Sequence, residues 1–193
     1  MNDQADRSPR GHHDDDAEFF TVGQPLHAVR AGYISRPADA ELYELLTSGQ
    51  DVYLFSPLRS GKTSLIAATT ARLQSNDYSV AHIDLAQIGE RDAGTDAGRW
   101  YYSIAYRLLR QLRIKVDLQT WWQDKSILTS RQRLFEFYLE VLLANTRKPI
   151  VIIIDELQAT EGLDFARYLI ESITAVNKAR ATEPEFARLG FVL

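Results

Sequence analysis

The most constraining feature of the sequence is residues 149–156, PIVIIIDE, in which an unbroken apolar run ends in two acidic residues. A strand with one face in water alternates apolar and polar residues, so a continuous run of isoleucine and valine predicts a strand buried on both faces. Such strands lie at the centre of parallel sheets that carry helices on either side. The run therefore predicts an α/β fold built around this strand.

Short apolar segments alternate with amphipathic segments along the rest of the chain, which predicts right-handed crossovers and a mostly parallel sheet covered on both faces. The predicted strands are residues 51–56, 78–85, 149–156 and 188–193. The predicted helices are residues 37–49, 61–74, 95–113, 129–145 and 163–179. Trp121 and Trp122 fall in a predicted loop, and we expect them to pack against the core or a subdomain rather than to bind a partner.

Local signals mark the ends of several predicted helices. Pro37 stands at a favourable first helical position, and Thr95 is the predicted N-cap of the third helix. Thr129 and Gln132 have the spacing of a capping box.

Composition limits the class of protein. The 193 residues are 45% hydrophobic and 25% charged, which predicts one domain over residues 19–193 after a polar, disordered tail over residues 1–18. No run of about 18 apolar residues and no signal peptide occurs, so we expect a cytoplasmic protein without a membrane partner. The absence of cysteine excludes disulfides. The net charge of −4 gives no general attraction to nucleic acid, although a local basic patch remains compatible with it.

The segment SPLRSGKTS, residues 56–64, lies between a predicted strand and a predicted helix. This is the context of a phosphate-binding loop of the GxxxxGK[ST], or Walker A, type. Lys62 would reach the β- and γ-phosphates, the Thr63 hydroxyl would ligate Mg²⁺, and backbone amides would surround the β-phosphate. The candidate nucleotide-binding residues of the loop are Ser56, Pro57, Leu58, Arg59, Ser60, Gly61, Lys62, Thr63 and Ser64.

Ser56 stands where the usual pattern begins with glycine. A serine forced to a positive φ would cost roughly 1–2 kcal/mol, which a folded domain tolerates. Pro57 favours an extended Ser56 instead, because a residue before proline prefers the β region. The loop is therefore expected to have a different entry turn, and Arg59 either contacts phosphate or points to solvent.

Asp155 and Glu156 form an acidic pair at the end of the buried strand. Charges at such a position are costly unless they are paired or bind a cation. Asp155 is the candidate Mg²⁺ ligand, in the manner of a Walker B aspartate, and Glu156 the candidate general base for water. The alternative is that both acids only cap the following turn, but the phosphate-binding loop upstream favours the catalytic interpretation, with Lys62 as its second catalytic residue.

Four segments together resemble the AAA-like P-loop ATPase domain of bacterial STAND-type signal-transduction proteins, over roughly residues 19–193. They are YISRPADAELYELL, LFSPLRSGKTSLIAA, VAHIDLAQIG and IVIIIDELQ. The resemblance implies a three-layer α/β/α P-loop NTPase fold of the branch with an additional strand and a catalytic glutamate, a sheet order of five, one, four, three, two, and ATP as the nucleotide. It makes Arg36 a candidate nucleotide contact, although Arg36 could equally be a solvated residue before the helix.

The family's sheet has a fifth strand and then a helical lid, whereas this sequence ends at Leu193 within the fourth predicted strand. We therefore expect a domain truncated after that strand, with residues 51–56 as an edge strand. Poor stability and weak ATP turnover are the expected consequences.

Three functions are compatible with these residues. The first, which we favour, is an ATP-binding and ATP-hydrolysing switch that controls self-association or attached effector modules. The second is a DNA-associated AAA-type ATPase of the initiator or loader kind, although no basic winged-helix-like module is found in the sequence. The third is a non-catalytic scaffold, which would need none of Lys62, Thr63, Asp155 and Glu156. His82 is expected to be structural, and the basic residues from Arg107 to Lys115 to form a solvated helix face.

Overall fold

The computed structural model describes residues 34–55, 57, 60–88 and 96–193. The helices are α1 (Pro37–Thr47), α2 (Lys62–Ser75), α3 (Ala97–Leu112), α4 (Leu118–Asp124), α5 (Ser130–Glu136) and α6 (Arg167–Ala179). The strands are β1 (Ser79–Asp84), β2 (Ile150–Asp155) and β3 (Leu189–Val192). Helix α5 continues as a π-helix over Phe137–Leu143, and short 3₁₀ turns cover Leu85–Gln87, Leu157–Thr160 and Pro184–Arg188.

The three strands form a parallel sheet of order β1-β2-β3, so the apolar strand β2 is central, as its composition predicts. Val52 makes a further parallel bridge to Val192 on the outer side of β3. The four segments therefore lie in the neighbour order that the implied sheet gives to its first four strands. The register pairs Asp84 with Asp155, which places the carboxyl ends of β1 and β2 at one edge of the sheet.

The predicted strand at residues 51–56 is wrong as a full strand. Its pairing consists of hydrogen bonds from the Val52 N–H to the Phe191 carbonyl at 2.8 Å, from the Leu54 N–H to the Leu193 carbonyl, and from the Leu193 N–H to the Val52 carbonyl. In the part of the chain that the structure describes, backbone from Phe191 to Leu193 pairs with Val52–Leu54. Among the described residues this segment pairs on one side only, and Phe55 is 89% exposed.

Asp51 fixes the start of this short segment. Its buried carboxylate accepts hydrogen bonds from the Arg180 guanidinium at 2.8 Å, the Asn177 amide at 3.0 Å and the Phe191 N–H at 3.1 Å. Arg180 also donates to the Leu189 carbonyl at 2.6 Å. One carboxylate therefore joins the segment before the predicted loop to α6 and β3.

The sheet is covered on both faces, which gives three layers. Alternate residues of β2 point to opposite sides, because the side-chain period of a strand is two. Ile150, Ile152 and Ile154 belong to a large core formed with α3, α5 and α6, whereas Val151 and Ile153 pack in a smaller core with α1 and α2. The uniform apolar run of β2 is thus explained by burial on both faces.

The helix predictions are correct for α1, α2 and α5, including the capping box of Thr129 and Gln132. The predicted loop around the two tryptophans is wrong, because residues 118–124 form α4. Asp117 caps this helix by accepting from the Thr120 N–H at 3.1 Å. Trp122 is buried and Trp121 packs against Phe137, so the packing interpretation is confirmed.

Two predicted helix starts also need correction. The N-cap of α3 is Asp96, which accepts from the Arg99 N–H at 2.8 Å, and Thr95 lies outside the described residues. Helix α6 begins at Arg167 rather than at residue 163, because residues 160–169 form turns with three-residue spacing, such as the bond from the Ala166 N–H to the Leu163 carbonyl.

The polar tail, residues 1–18, lies outside the described residues. Within the part of the chain that the structure describes, no helix combines the length and the apolar character needed to cross a membrane.

Candidate functional site

The N-terminus of α2 lies at the carboxyl edge of the sheet. Gly61 is its N-cap and has φ +87°, a left-handed conformation that a glycine adopts at no steric cost. The first helical hydrogen bond of α2 runs from the Leu65 N–H to the Gly61 carbonyl at 2.9 Å. Among the described residues none accepts from the N–H groups of residues 61–64, and N–H groups at the positive end of a helix are suited to bind an anion.

Lys62, the first residue of α2, donates a hydrogen bond from Nζ to Oδ1 of Asp155 at the end of β2. The Asp155 side chain is 15% exposed and that of Lys62 36%. Burial by itself would raise the pKa of Asp155, but the hydrogen bonds from Lys62 and from the Glu156 N–H and the Lys62 charge outweigh it. The pKa of Asp155 is therefore lowered, and this carboxyl is ionised at neutral pH.

His82 approaches the same carboxylate from β1, with Nε2 3.8 Å from Asp155 Oδ2. The Gln111 amide holds the backbone of His82, since it accepts from the His82 N–H at 2.7 Å and donates to the His82 carbonyl at 2.6 Å. The purely structural interpretation of His82 overlooked this proximity. The signal for this proximity in the sequence was the two-residue spacing between His82 and Asp84. It puts both side chains on the same face of the sheet, opposite to Ile83.

Glu156 follows directly and has φ +59°, which is unusual for a residue with a side chain. Its N–H donates to Asp155 Oδ1 at 3.0 Å, and its exposed carboxylate accepts from the Gln158 amide. Backbone strain of this kind is concentrated at functional sites. A carboxylate offers about four acceptor positions, so the bond from Gln158 leaves capacity for a water molecule.

Arg36, the residue before α1, reaches the loop. Its guanidinium donates to the carbonyls of Ser60 at 3.0 Å and Gly61 at 3.3 Å. The structure thus brings Arg36, Ser60, Gly61, Lys62 and Asp155 together.

Other predicted site residues are only partly described. Pro57 is exposed, and its carbonyl accepts from the Ser60 N–H at 3.2 Å. Thr63 and Ser64 lie in the first turn of α2, whereas Ser56, Leu58 and Arg59 lie outside the described residues.

The donor set suits a polyphosphate with a divalent cation. The amides at a helix N-terminus and a lysine are donors for phosphate oxygens, and a hydroxyl with a carboxylate offers the oxygen ligands that Mg²⁺ prefers. Among the described residues no group of three or more histidine and acidic side chains is arranged to hold a metal ion.

The basic residues of α3 form a separate surface. Arg107 donates to the Gln87 carbonyl at 2.8 Å, and Arg110 lies 6.0 Å from the ring of the exposed Tyr106. Both arginines line an open cleft of about 540 Å³ beside β1. These contacts fit the expected solvated helix face.

Comparison with known proteins assigns the family. The family model described as an AAA-like domain matches residues 22–192, a span that includes Lys62, Asp155 and Glu156. No curated protein and no solved structure shows a significant similarity to the chain. AAA-like domains are nucleotide-binding domains of ATPase type, and the fold and the loop described above are compatible with this class. Because the match covers most of the chain, the protein belongs to the AAA-like domain family.

Proposed function

We propose that this domain binds ATP with Mg²⁺, hydrolyses it, and acts as a nucleotide-dependent switch of STAND type in signalling or assembly. The observation that carries the proposal is the pairing of Lys62 with Asp155. It joins the basic residue at an open helix N-terminus to the carboxylate at the end of the central strand. These are the two halves of one phosphoryl-transfer site.

Each group has a separate role in the proposed reaction. The N–H groups at the start of α2 and Nζ of Lys62 bind the phosphates, with contributions from loop residues 56–60. Thr63 and Asp155 would hold Mg²⁺, which would supply positive charge to neutralise the phosphate oxygens. Glu156 accepts a proton from water as the water oxygen attacks the γ-phosphorus and the bond to the β–γ bridging oxygen breaks, giving ADP and phosphate.

The Lys62–Asp155 bond supports the switch role. ATP would draw Lys62 towards phosphate, and Mg²⁺ would compete for Asp155, so both residues would change partners on binding. A ligand shifts a conformational equilibrium only through contacts that differ between the two states. The exchange of partners supplies such a difference between α2 and β2.

The site assignment is tested by ATP and GTP affinity of the full chain, with Lys62→Ala compared with wild type. We expect Lys62→Ala to weaken ATP binding by at least about tenfold, the loss of one charge-assisted contact. Lys125→Ala is the matched control, because Lys125 forms a similar ion pair with Glu140 at 2.8 Å on another face. Equal ATP affinity in wild type and Lys62→Ala would contradict the assignment.

Two further measurements separate catalysis and switching from binding. Glu156→Gln should keep ATP affinity and lose hydrolysis, whereas unchanged hydrolysis would show that another residue is the base. For the switch, light scattering and hydrogen exchange of Glu156→Gln are compared with ADP and with ATP. Identical behaviour with the two nucleotides would refute the switch role while leaving the binding site intact.

A further inference from the structure

Arg36 is held in a defined place by α1. This helix packs on α2 through Leu42 and Leu46, which share a core cluster with Leu65 and Leu73. The Arg36 N–H donates to the Asp39 carboxylate at 2.7 Å, which fixes the backbone at the start of the helix. The guanidinium therefore reaches the loop from an element whose position is set by the same core that positions α2.

The contact joins one planar side chain to two successive carbonyls. Nη1 lies 3.0 Å from the Ser60 oxygen and Nη2 3.3 Å from the Gly61 oxygen. A guanidinium presents its donors in a fixed fork, which suits two adjacent acceptors. A Cβ added to Gly61 would lie 3.1 Å from Nη1, so the side chain closes tightly on the loop backbone.

These bonds, together with the bond from the Leu65 N–H to the Gly61 carbonyl, orient the loop amides. In a planar trans peptide the carbonyl and the next N–H point in opposite directions. When the Ser60 carbonyl faces Arg36, the Gly61 N–H faces away from Arg36, and the Gly61 carbonyl relates to the Lys62 N–H in the same way. No described residue accepts from either N–H. Consecutive amides turned to one side form an anion-binding concavity.

We propose that Arg36 is a positioning residue of the phosphate site, which holds the Ser60 and Gly61 carbonyls outward so that the Gly61 and Lys62 amides point inward. The inference rests on the proposed function, because it assigns Arg36 a part in building that site. It differs from a direct contact with the nucleotide. In this role both arms of the guanidinium are occupied by protein carbonyls.

The test compares Arg36→Ala and Arg36→Lys with wild type, using Mg·ATP and tripolyphosphate as ligands. Lysine keeps the charge and the aliphatic stem but not the planar fork. Both variants should bind ATP and tripolyphosphate about tenfold more weakly, by the same factor for each ligand. Without any ligand, both should show faster hydrogen exchange over residues 60–66, while thermal melting confirms that they fold.

Arg72→Ala is the matched control, because Arg72 also joins α2 to α1, by stacking 3.7 Å from the centre of the Tyr43 ring. It should leave exchange over residues 60–66 and tripolyphosphate affinity unchanged. A loss of ATP affinity alone in Arg36→Ala would indicate contact with the base or ribose and would overturn the proposal. Retained affinity in Arg36→Lys with unchanged exchange would overturn it in favour of a direct charge contact with phosphate.

The outcomes separate this inference from the proposed function. Wild-type ATP affinity in Lys62→Ala would remove the nucleotide site itself. Weak binding in Lys62→Ala together with wild-type binding and exchange in the Arg36 variants would remove only the positioning role. The exchange measurement needs no nucleotide, so its result does not depend on whether ATP is the ligand.

Discussion

Lys62 and Asp155 are 93 positions apart in the sequence, and the fold joins them by a hydrogen bond between the first residue of α2 and the last of β2. Helix α2 and β2 are separated by β1, α3, α4 and α5 along the chain. The parallel arrangement brings them together, because the carboxyl ends of parallel strands share one edge of the sheet with the N-termini of the helices that follow.

This pair should be measurable as a coupling energy. In a double-mutant cycle with Lys62→Met and Asp155→Asn, without nucleotide or Mg²⁺, we expect a coupling free energy of about 1 kcal/mol, modest because Lys62 is partly exposed to solvent. Urea denaturation of the four proteins gives the value. Strict additivity of the two substitutions would show that the pair does not stabilise the fold.

The left-handed backbone at Glu156 should reverse the usual order of stability, in which an alanine variant is more stable than a glycine variant. At φ +59° any side chain is strained, so Glu156→Gly should be more stable than Glu156→Ala by about 1 kcal/mol. Glu41, exposed within α1, is the control, and there alanine should exceed glycine by a similar amount. Chemical denaturation of the four variants is the measurement, and the same order at both positions would contradict the strain.

The Asp51–Arg180 ion pair should be among the more costly polar contacts to break. Asp51→Ala leaves Arg180 in a largely buried position without its carboxylate, and we expect a loss of about 3 kcal/mol in the free energy of unfolding. The double variant with Arg180→Ala should cost little more than either single one, because both remove the same network. Lys148→Ala, which breaks an exposed pair with Asp77, should cost less than about 1 kcal/mol.

Tyr138 should make stability sensitive to alkaline pH. Burial raises the pKa of its hydroxyl above the ordinary value of about 10. Its contribution is therefore complete below pH 10 and is lost above it, at up to about 1.4 kcal/mol per pH unit, because only the unfolded chain releases the proton.

The gap in unfolding free energy between wild type and Tyr138→Phe should thus be constant from pH 8 to 9.5 and shift in favour of the variant from pH 10 to 11. Tyr106→Phe is the control, since Tyr106 is exposed, and this variant should follow wild type. Parallel pH profiles of wild type and Tyr138→Phe would contradict the burial of this hydroxyl.

Some features of the protein could be predicted from short stretches of sequence. The central position of β2 follows from an apolar run that fits only a strand covered on both faces, and the capping box at Thr129 needs only a spacing of three residues. The placement of Lys62 after Gly61 at the start of α2 is equally local. In each case the physical cause acts within one element.

Other features depended on contacts between elements that are distant in sequence. Residues 51–56 have strand-like composition, yet among the described residues the pairing covers Val52–Leu54, because pairing depends on which backbone lies alongside. The approach of His82 to Asp155 depends on how β1 packs, and the hydrogen bonds from Arg36 to the loop carbonyls depend on how α1 packs. The sequence alone thus determined the central strand and the place of Lys62 at the start of α2. Tertiary packing decided the partners of Lys62, Asp155 and Arg36, because hydrogen bonds between elements form only after burial of the two cores has fixed their distances.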